Sequence, residues 1–202
     1  MSLPPSTPPA SPEQLQRLAS GIGAAARRGP APVERWNPPY CGDIGLAIAA
    51  DGTWHYRSSL IARPALVGLF ASALRRDEDG RHYLVTPVEK IAVAVADAPF
   101  LAVEMRTEGT GGSQRIALRT NLGEWVEAGP DHPLRFVEEP PEGALKPYLL
   151  VRGRLEARLT RALVYDLIDQ AVVEPVEGSD MIGVWSGGAF FAIAPAATRG
   201  RS

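Results

Sequence analysis

The pattern of apolar and polar residues in the first half of the chain predicts a β-hairpin. Ile44 to Ala50 is apolar, and Asp51-Gly52 supplies residues that tolerate a positive φ. Trp54 to Ser58 then resumes a strand-like pattern. Two strands joined by a tight turn are therefore expected between residues 44 and 58.

A helix and two more strands are predicted downstream of this hairpin. Pro64 fits the first turn of a helix, and apolar residues recur behind it at i, i+3, i+4, i+7 and i+8. We expect this helix to run to about Arg76. Two apolar runs follow, Tyr83 to Thr86 and Ile91 to Val95, and both predict strands of the same sheet.

The second half of the chain shows a similar succession of strand and helix patterns. Leu159 to Gln170 has helical spacing, with Leu159 and Ile168 among the residues expected to face inward. Glycines at 109, 111 and 112, and again at 187 and 188, indicate two hairpin loops. The strand candidates are Phe100 to Thr107, Gln114 to Arg119, Leu134 to Val137, Tyr148 to Arg152, Ile182 to Trp185 and Ala189 to Ala194.

The two halves share residues when the chain is shifted along itself by 95 positions (152 − 57 = 95). The matches fall where a strand gives way to the amphipathic helix, which is where a duplicated unit would retain its packing. They predict an α+β fold of internally duplicated strand-helix-strand units with mainly antiparallel sheets. The matched pairs are Arg57 with Arg152, Leu60 with Leu155, Ala62 with Ala157, Arg63 with Arg158 and Phe70 with Tyr165.

Proline-rich composition sets the start of the chain apart from this duplicated core. Residues 1–11 cannot bury enough apolar surface to offset the entropy of ordering, whereas Leu18 and Ile22 lie on one face of a short helix that Ser11 would cap. The predicted organisation is a disordered tail with a short helix at 1–33, an N-terminal α+β repeat at 34–99, a C-terminal barrel-like repeat at 100–196 and a disordered end at 197–202.

Composition excludes several classes of partner. A formal net charge of −2 gives no electrostatic footprint for nucleic acid, and no apolar run approaches the roughly 18 residues that span a bilayer. The single cysteine, Cys41, cannot form an internal disulfide, which favours a reducing compartment such as the cytoplasm. We therefore expect a cytoplasmic protein with no nucleic-acid partner and no membrane span.

The sequence carries no catalytic, metal or cofactor signature. A catalytic Cys41 would need activation by His55, His82 or His132, and the alternative, a small buried thiol at the start of a strand, is favoured. The histidines form no i, i+3 or i, i+4 pair that would seat zinc. Glu89 and Lys90 are adjacent, so on a strand only one of them would enter any pocket.

The duplicated arginines are the strongest candidates for a binding site. Two copies packed about a pseudo-twofold axis would bring Arg63 and Arg158 towards a shared groove. Guanidinium groups offer paired donors suited to phosphate or carboxylate, so the groove would hold an anionic small molecule. The alternative is structural, because each arginine would otherwise pair with a neighbour or cover apolar surface with its stem.

Several segments in the same order resemble the bacterial family named domain of unknown function twelve-eighty-five (DUF1285). The resemblance covers about residues 34 to 194 and implies a duplicated α+β core, a C-terminal half loosely similar to a pleckstrin-homology-like barrel, a ligand site between the halves and a part in nucleotide-linked signalling. It brings no established catalytic residues. The segments are Glu34 to Gly42, Asp51 to Trp54, Leu84 to Lys90, Asp97 to Ala102, Leu155 to Leu159 and Gly183 to Ser186.

Three functions are consistent with these observations. The first is a non-enzymatic binding or regulatory module for a small anionic ligand, a class that includes nucleotides. The second is an enzyme that uses Cys41 or a carboxylate such as Glu89, and the third is a scaffold for a protein partner or a second copy of the chain. The candidate ligand-binding residues for the first are Arg63, Arg152, Arg158, Lys90 and Trp36.

Overall fold

The computed structural model describes residues 12–26, 32–139 and 143–196. The segments predicted to be disordered, 1–11 and 197–202, lie outside the described residues, as does Ser11. The contacts divide the chain into two compact units, Met1–Ala49 with Thr53–Ala96 and Ala50–Gly52 with Asp97–Ser202.

Among the described residues, the N-terminal unit contains two α-helices and a six-stranded sheet. The predicted hairpin is confirmed, and Gly52 has a φ of 79° in its turn. The early helix is also present, and Leu18 and Ile22 are buried in it as expected. The elements are α1 Pro12–Ala26, β1 Tyr40–Ile48, β2 Trp54–Tyr56, β3 Ser59–Leu60, α2 Pro64–Ser72, β4 Leu74–Arg76, β5 His82–Val85 and β6 Lys90–Val95.

The helix predicted to reach Arg76 is shorter than expected. It ends at Ser72, and Leu74 opens strand β4, where it pairs with Leu84 of β5. The helical spacing of Leu74 misled the prediction because one apolar residue at the end of a run fits a strand as well as a helix. The early end places Arg75 on a strand, where its side chain is buried.

The described part of the C-terminal unit contains one α-helix and two sheets. The helix predicted from Leu159 begins only at Arg161, because Leu159 is the last residue of a strand. Leu159 is buried, but Ile168 is 43% exposed, so its predicted inward orientation is wrong. The elements are β7 Phe100–Glu108, β8 Arg115–Thr120, β9 Trp125–Glu127, β10 Leu134–Glu139, β11 Ala144–Arg152, β12 Leu155–Leu159, α3 Arg161–Ile168, β13 Val172–Val176, β14 Ser179–Ser186 and β15 Ala189–Pro195.

The two six-stranded sheets have the same topology. Their orders are β3-β2-β1-β6-β5-β4 and β9-β8-β7-β12-β11-β10, and each consists of two antiparallel three-stranded meanders. In each sheet the first strand of the first meander pairs in parallel with the last strand of the second, β1 with β6 and β7 with β12. The fold is therefore mostly β, with two similar mixed sheets.

This equivalence of the sheets differs from the one that the 95-residue shift predicts. Strand β1 corresponds to β7, which begins 60 positions later (100 − 40 = 60). Arg63 precedes α2, between the two meanders of its sheet, whereas Arg158 lies on the final strand of the other. The shift of 95 does recover the same linear order of three strands, a helix and three strands, but the strands pair differently, so the two arginines are not topological equivalents.

The last three strands form a separate antiparallel sheet in the order β13-β14-β15. The hairpin predicted around Gly187-Gly188 is confirmed, and both glycines have positive φ. The pleckstrin-homology likeness of this half stays a prediction. Within the described ranges, no helix is long and apolar enough to cross a membrane.

Candidate functional site

A pocket of about 400 Å³ opens beside helix α3 in the C-terminal unit, and we call it the α3 pocket. Strands β11 and β12 and the helix itself form its walls. Its lining combines three cationic side chains with a mainly aliphatic wall. The lining residues are Ala144, Leu145, Lys146, Arg158, Leu159, Arg161, Val164, Tyr165 and Ile168.

Helix α3 presents two different faces. Leu163 and Leu167, four residues apart, are buried in the core of the unit. The stripe at i, i+3, i+4 and i+7 from Arg161, which contains Val164, Tyr165 and Ile168, lines the pocket instead. A helix with only two buried residues thus leaves a second, half-exposed face available.

The register of β11 and β12 brings the cations of the pocket together. Tyr148 lies opposite Arg158. Lys146 precedes Tyr148 by two residues in β11 and, because the pair is antiparallel, lies nearer the C-terminal end of β12. Residues two apart on a strand share a face, so Lys146 and Arg158 approach the same region. Arg161 joins them because α3 starts directly after Thr160, its N-terminal cap residue.

Two of the three cations already have carboxylate partners. Lys146 Nζ lies 2.9 Å from Glu139 Oε1, and Arg158 Nε lies 3.1 Å from Asp97 Oδ2. The ion pair between Arg158 and Asp97 lacks hydrogen-bond geometry. The buried Nε of Arg158 therefore has no hydrogen-bond acceptor among the described residues. Arg161 has no carboxylate partner among the described residues, and its Nη2 donates a long 3.4 Å hydrogen bond to the Tyr165 hydroxyl. The described lining therefore holds a net positive charge.

Arg158 is held in place by a polar network behind the pocket. Its Nη2 donates to the carbonyl of Ala50 at 2.8 Å, and the Tyr148 hydroxyl donates to Asp97 Oδ1 at 2.7 Å. The Arg135 guanidinium lies 4.4 Å from the centre of the Tyr148 ring. Burial, followed by the hydrogen bond to Asp97, raises the pKa of Tyr148 to about 12, so Tyr148 is a neutral donor at physiological pH.

Of the residues predicted to bind a ligand, Arg158 alone lines the α3 pocket. Arg152, six residues earlier, instead pairs with Glu124 at 2.8 Å and lies 5.1 Å from the ring centre of Phe100. The register places Arg152 opposite Leu155, away from Arg158 along the strands. The C-terminal unit therefore holds these two arginines in separate environments.

Trp36, Lys90 and Arg63 belong to the N-terminal unit. Trp36 packs on a cluster that includes Tyr83, and Lys90 Nζ lies 4.5 Å from the centre of the same ring. Lys90 also pairs with Asp77 at 2.9 Å, so the structure brings Trp36 and Lys90 to one cluster. Arg63 is exposed as the residue that precedes α2.

The buried arginine of this cluster, Arg75, has four polar contacts. It donates to both carboxylate oxygens of Asp77, at 2.6 and 3.2 Å, and to the carbonyls of Val33 and Trp36, each at 2.7 Å. Burial raises the pKa of the Asp77 carboxyl, but hydrogen bonds from Arg75 and Lys90 outweigh it and the net pKa is lowered. The arrangement is that of a satisfied structural network.

Cys41 is exposed, so the prediction of a buried thiol is wrong. The bulged start of β1 accounts for this, because register shifts follow Tyr40 and Asp43 and disrupt the alternation of the strand. The Cys41 thiol lies 3.5 Å from the carbonyl of Pro39, while the ring of His132 contacts the carbonyl of Leu150 at 3.0 Å. The described residues include no group of three or more potential metal ligands.

Glu89, the other enzymatic candidate, lies in the turn between β5 and β6. Its amide donates to Thr86 Oγ1 at 3.1 Å and its carbonyl accepts from the Thr86 amide at 2.9 Å. These backbone contacts make the segment a closed turn.

Lys146, Arg161 and Tyr165 were not predicted as site residues. One signal was visible: the apolar and cationic stripe from Arg161 to Ile168 has helical spacing and lies opposite the leucine face. Lys146 gave no signal, because only the cross-strand register brings it to the end of β12.

This geometry defines the class of the protein: a mostly β protein of two units, with a cationic and aliphatic pocket in the second unit. The family models described as "Domain of unknown function (DUF1285), N-terminal domain" and "Protein of unknown function (DUF1285), C-terminal domain" match residues 31–98 and 99–193. The chain therefore belongs to the DUF1285 family.

Two solved structures of family members are similar to the chain. A DUF1285 family protein from Silicibacter pomeroyi DSS-3 has 43% sequence identity and a TM-score of 0.78, and the match covers 88% of this chain and 94% of that one. Another, from Shewanella baltica OS155, has 27% identity and a TM-score of 0.49, with 62% and 91% covered. No curated protein matches the chain.

Proposed function

We propose that the protein is a non-enzymatic binding module that takes a small anionic ligand in the α3 pocket. The observation that carries this proposal is the charge of the lining, in which Lys146 and Arg158 pair with Glu139 and Asp97 outside the lining while Arg161 has no carboxylate partner among the described residues. Arg161 contributes the charge that no described carboxylate neutralises. A bound carboxylate or phosphate group supplies that missing negative charge.

The dimensions and chemistry of the pocket support a small molecule. A volume of about 400 Å³ lies in the range of ligand pockets, which are mostly apolar with a few convergent polar groups. Hydrogen bonds to charged groups contribute about 1.5–3 kcal/mol each, so two guanidinium contacts provide a useful affinity. The family resemblance implies a regulatory role in nucleotide-linked signalling, and such a role would rest on this binding. The ligand site shared by both halves, which the resemblance also implies, stays a prediction.

The proposal is tested by ligand-induced thermal stabilisation. The probes are inorganic phosphate, adenosine monophosphate, acetate and octanoate, each titrated against the full chain. A ligand that binds only the folded state adds about 2.7 kcal/mol at 100 times its Kd. We expect at least one probe to raise the Tm of the wild type.

Two variants locate the binding. Lys146→Gln with Arg161→Gln removes two cations without disturbing the network that holds Arg158, and we expect it to weaken binding at least tenfold. Arg115→Gln is the matched control, because Arg115 is an exposed arginine that pairs with Glu127 elsewhere in the same unit. Stabilisation by none of the four probes, or equal stabilisation of the double variant and the wild type, would refute the proposal.

A further inference from the structure

The aliphatic part of the α3 pocket indicates which kind of anion it takes. Leu145 and Leu159 line the pocket from the strands, and Val164 and Ile168 line it from the helix. Inorganic phosphate or acetate would leave these side chains in contact with water. An occupant with an apolar body removes that surface from water, at about 25 cal/mol per Å².

The charged and apolar parts of the pocket are separated along the axis of α3. Arg161 begins the helix and Ile168 ends it, seven residues later, which is about 10 Å of helix at 1.5 Å per residue. Lys146 and Arg158 lie on the strands that meet at the start of the helix. The cations therefore lie near the start of the helix, where Leu145 and Leu159 adjoin them on the strands, and Val164 and Ile168 extend the aliphatic lining along the helix.

Large apolar side chains are exposed at the far end. Tyr165 is 58% exposed and Ile168 is 43% exposed on the pocket face of the helix. Contiguous exposed apolar residues next to a pocket are typical of ligand-binding grooves.

From this polarity we propose that the ligand is a free single-chain amphiphile, with an anionic head at Lys146, Arg158 and Arg161 and an apolar tail along Val164 and Ile168. This inference rests on the proposed function. The head is a carboxylate or a phosphate monoester, since both accept paired hydrogen bonds from guanidinium groups. The length of the helix face suits a tail of medium length, and a pocket of about 400 Å³ holds one chain.

A series of straight-chain carboxylates tests the inference. Acetate, butanoate, hexanoate and octanoate are titrated calorimetrically into the full chain, with octanol as a probe that has the tail without the charge. Complete burial of a methylene contributes about fourfold in affinity, so we expect at least a fourfold gain for each two-carbon extension in this half-open pocket. Octanol should bind at least tenfold more weakly than octanoate.

Two substitutions separate tail binding from adsorption elsewhere. Ile168→Ser shortens the apolar wall at a half-exposed position, and we expect it to reduce the gain between hexanoate and octanoate by at least threefold. Val103→Ser is the matched control, because Val103 is 38% exposed on β7 and does not line the pocket. It should leave the whole series unchanged.

The outcomes distinguish this inference from the proposed function. If acetate or phosphate binds the pocket and chain length has no effect, the amphiphile is refuted and the anion site stands. If no anion of either panel binds, both are refuted. If octanoate binds equally well to Lys146→Gln with Arg161→Gln, or if vesicles of phosphatidylcholine and phosphatidylglycerol bind the protein while free carboxylates do not, the inference is overturned.

Discussion

The Tyr148 hydroxyl makes the C-terminal unit lose stability at alkaline pH. Tyr148 is buried, and its pKa is raised from the ordinary value of 10.0 to about 12, first by burial and then by its hydrogen bond to Asp97. The folded state therefore favours the neutral phenol more than the unfolded state does. This contribution is fully present below pH 10 and is lost as the pH rises from 10 through about 12.

The size of the effect follows from the two pKa values. They differ by about two pH units, and at 1.36 kcal/mol per unit the full contribution is on the order of 2.7 kcal/mol. By pH 12 most of it, about 2 kcal/mol, is lost, because the unfolded phenol is almost wholly ionised there while the folded one is about half ionised. Tyr148→Phe cannot lose this contribution.

The measurement is urea unfolding of the wild type and Tyr148→Phe between pH 8 and pH 12. At pH 8 we expect the variant to be less stable by about 1.5–3 kcal/mol, because it lacks a hydrogen bond to a carboxylate. The difference should shrink to near zero, or change sign, by pH 12. Tyr165→Phe, which alters an exposed tyrosine, should run parallel to the wild type. Parallel curves for the wild type and Tyr148→Phe would refute the reasoning.

Three further predictions concern stability alone. Arg75→Met should cost about 3 kcal/mol in urea unfolding, because it removes the partner of a half-buried carboxylate and of two carbonyls, and a loss below 1 kcal/mol would contradict this. The lowered pKa of Asp77 contributes stability that is present above pH 3.8 and lost as the pH falls through its folded pKa, so Asp77→Asn should flatten the acid limb of the stability curve relative to the wild type. Gly183→Ala would place a Cβ 2.5 Å from Phe190 Cζ and should lower the unfolding free energy by more than 1 kcal/mol. Gly68→Ala, in the middle of α2 with open space around the new Cβ, should instead raise the unfolding free energy by about 0.5–1 kcal/mol.

Local patterns predicted the hairpins well because each hairpin is a contact between neighbouring segments. The turn at Asp51-Gly52 and the pair Gly187-Gly188 carry the backbone preference that sets the reversal, and both reversals are present. Short strands without alternation, such as Leu74 to Arg76, carry a pattern that fits a helix equally well. Their pairing with a neighbour decides their conformation, and a three-residue run has no measurable period.

The sheet equivalence and the α3 pocket depend on long-range register, which single-sequence patterns do not contain. The shift of 95 found a real recurrence of element order around Arg63 and Arg158, yet the sheets correspond at a shift of about 60. The sequence predicts Arg158 as a binding residue because it matches Arg63 at the shift of 95. Arg158 lines a pocket for a different reason: strand β12 ends beside it, and α3 and β11 form the other walls. Lys146 joins the pocket through the pairing of Tyr148 with Arg158, a register that the residue pattern of neither strand specifies.

The parallel pair at the centre of each sheet has a consequence for synthesis on the ribosome. Strand β1 can pair with β2 as soon as both emerge, but its other edge has no partner until Lys90–Val95 has been made, some 40 residues later. During that interval the nascent chain presents an open strand edge whose Leu46 and Ile48 side chains are destined for burial, and such edges recruit other chains. Any truncation that stops before β6 should therefore yield an aggregating fragment, while one that stops after Ala96 would leave the first sheet closed on both sides of β1.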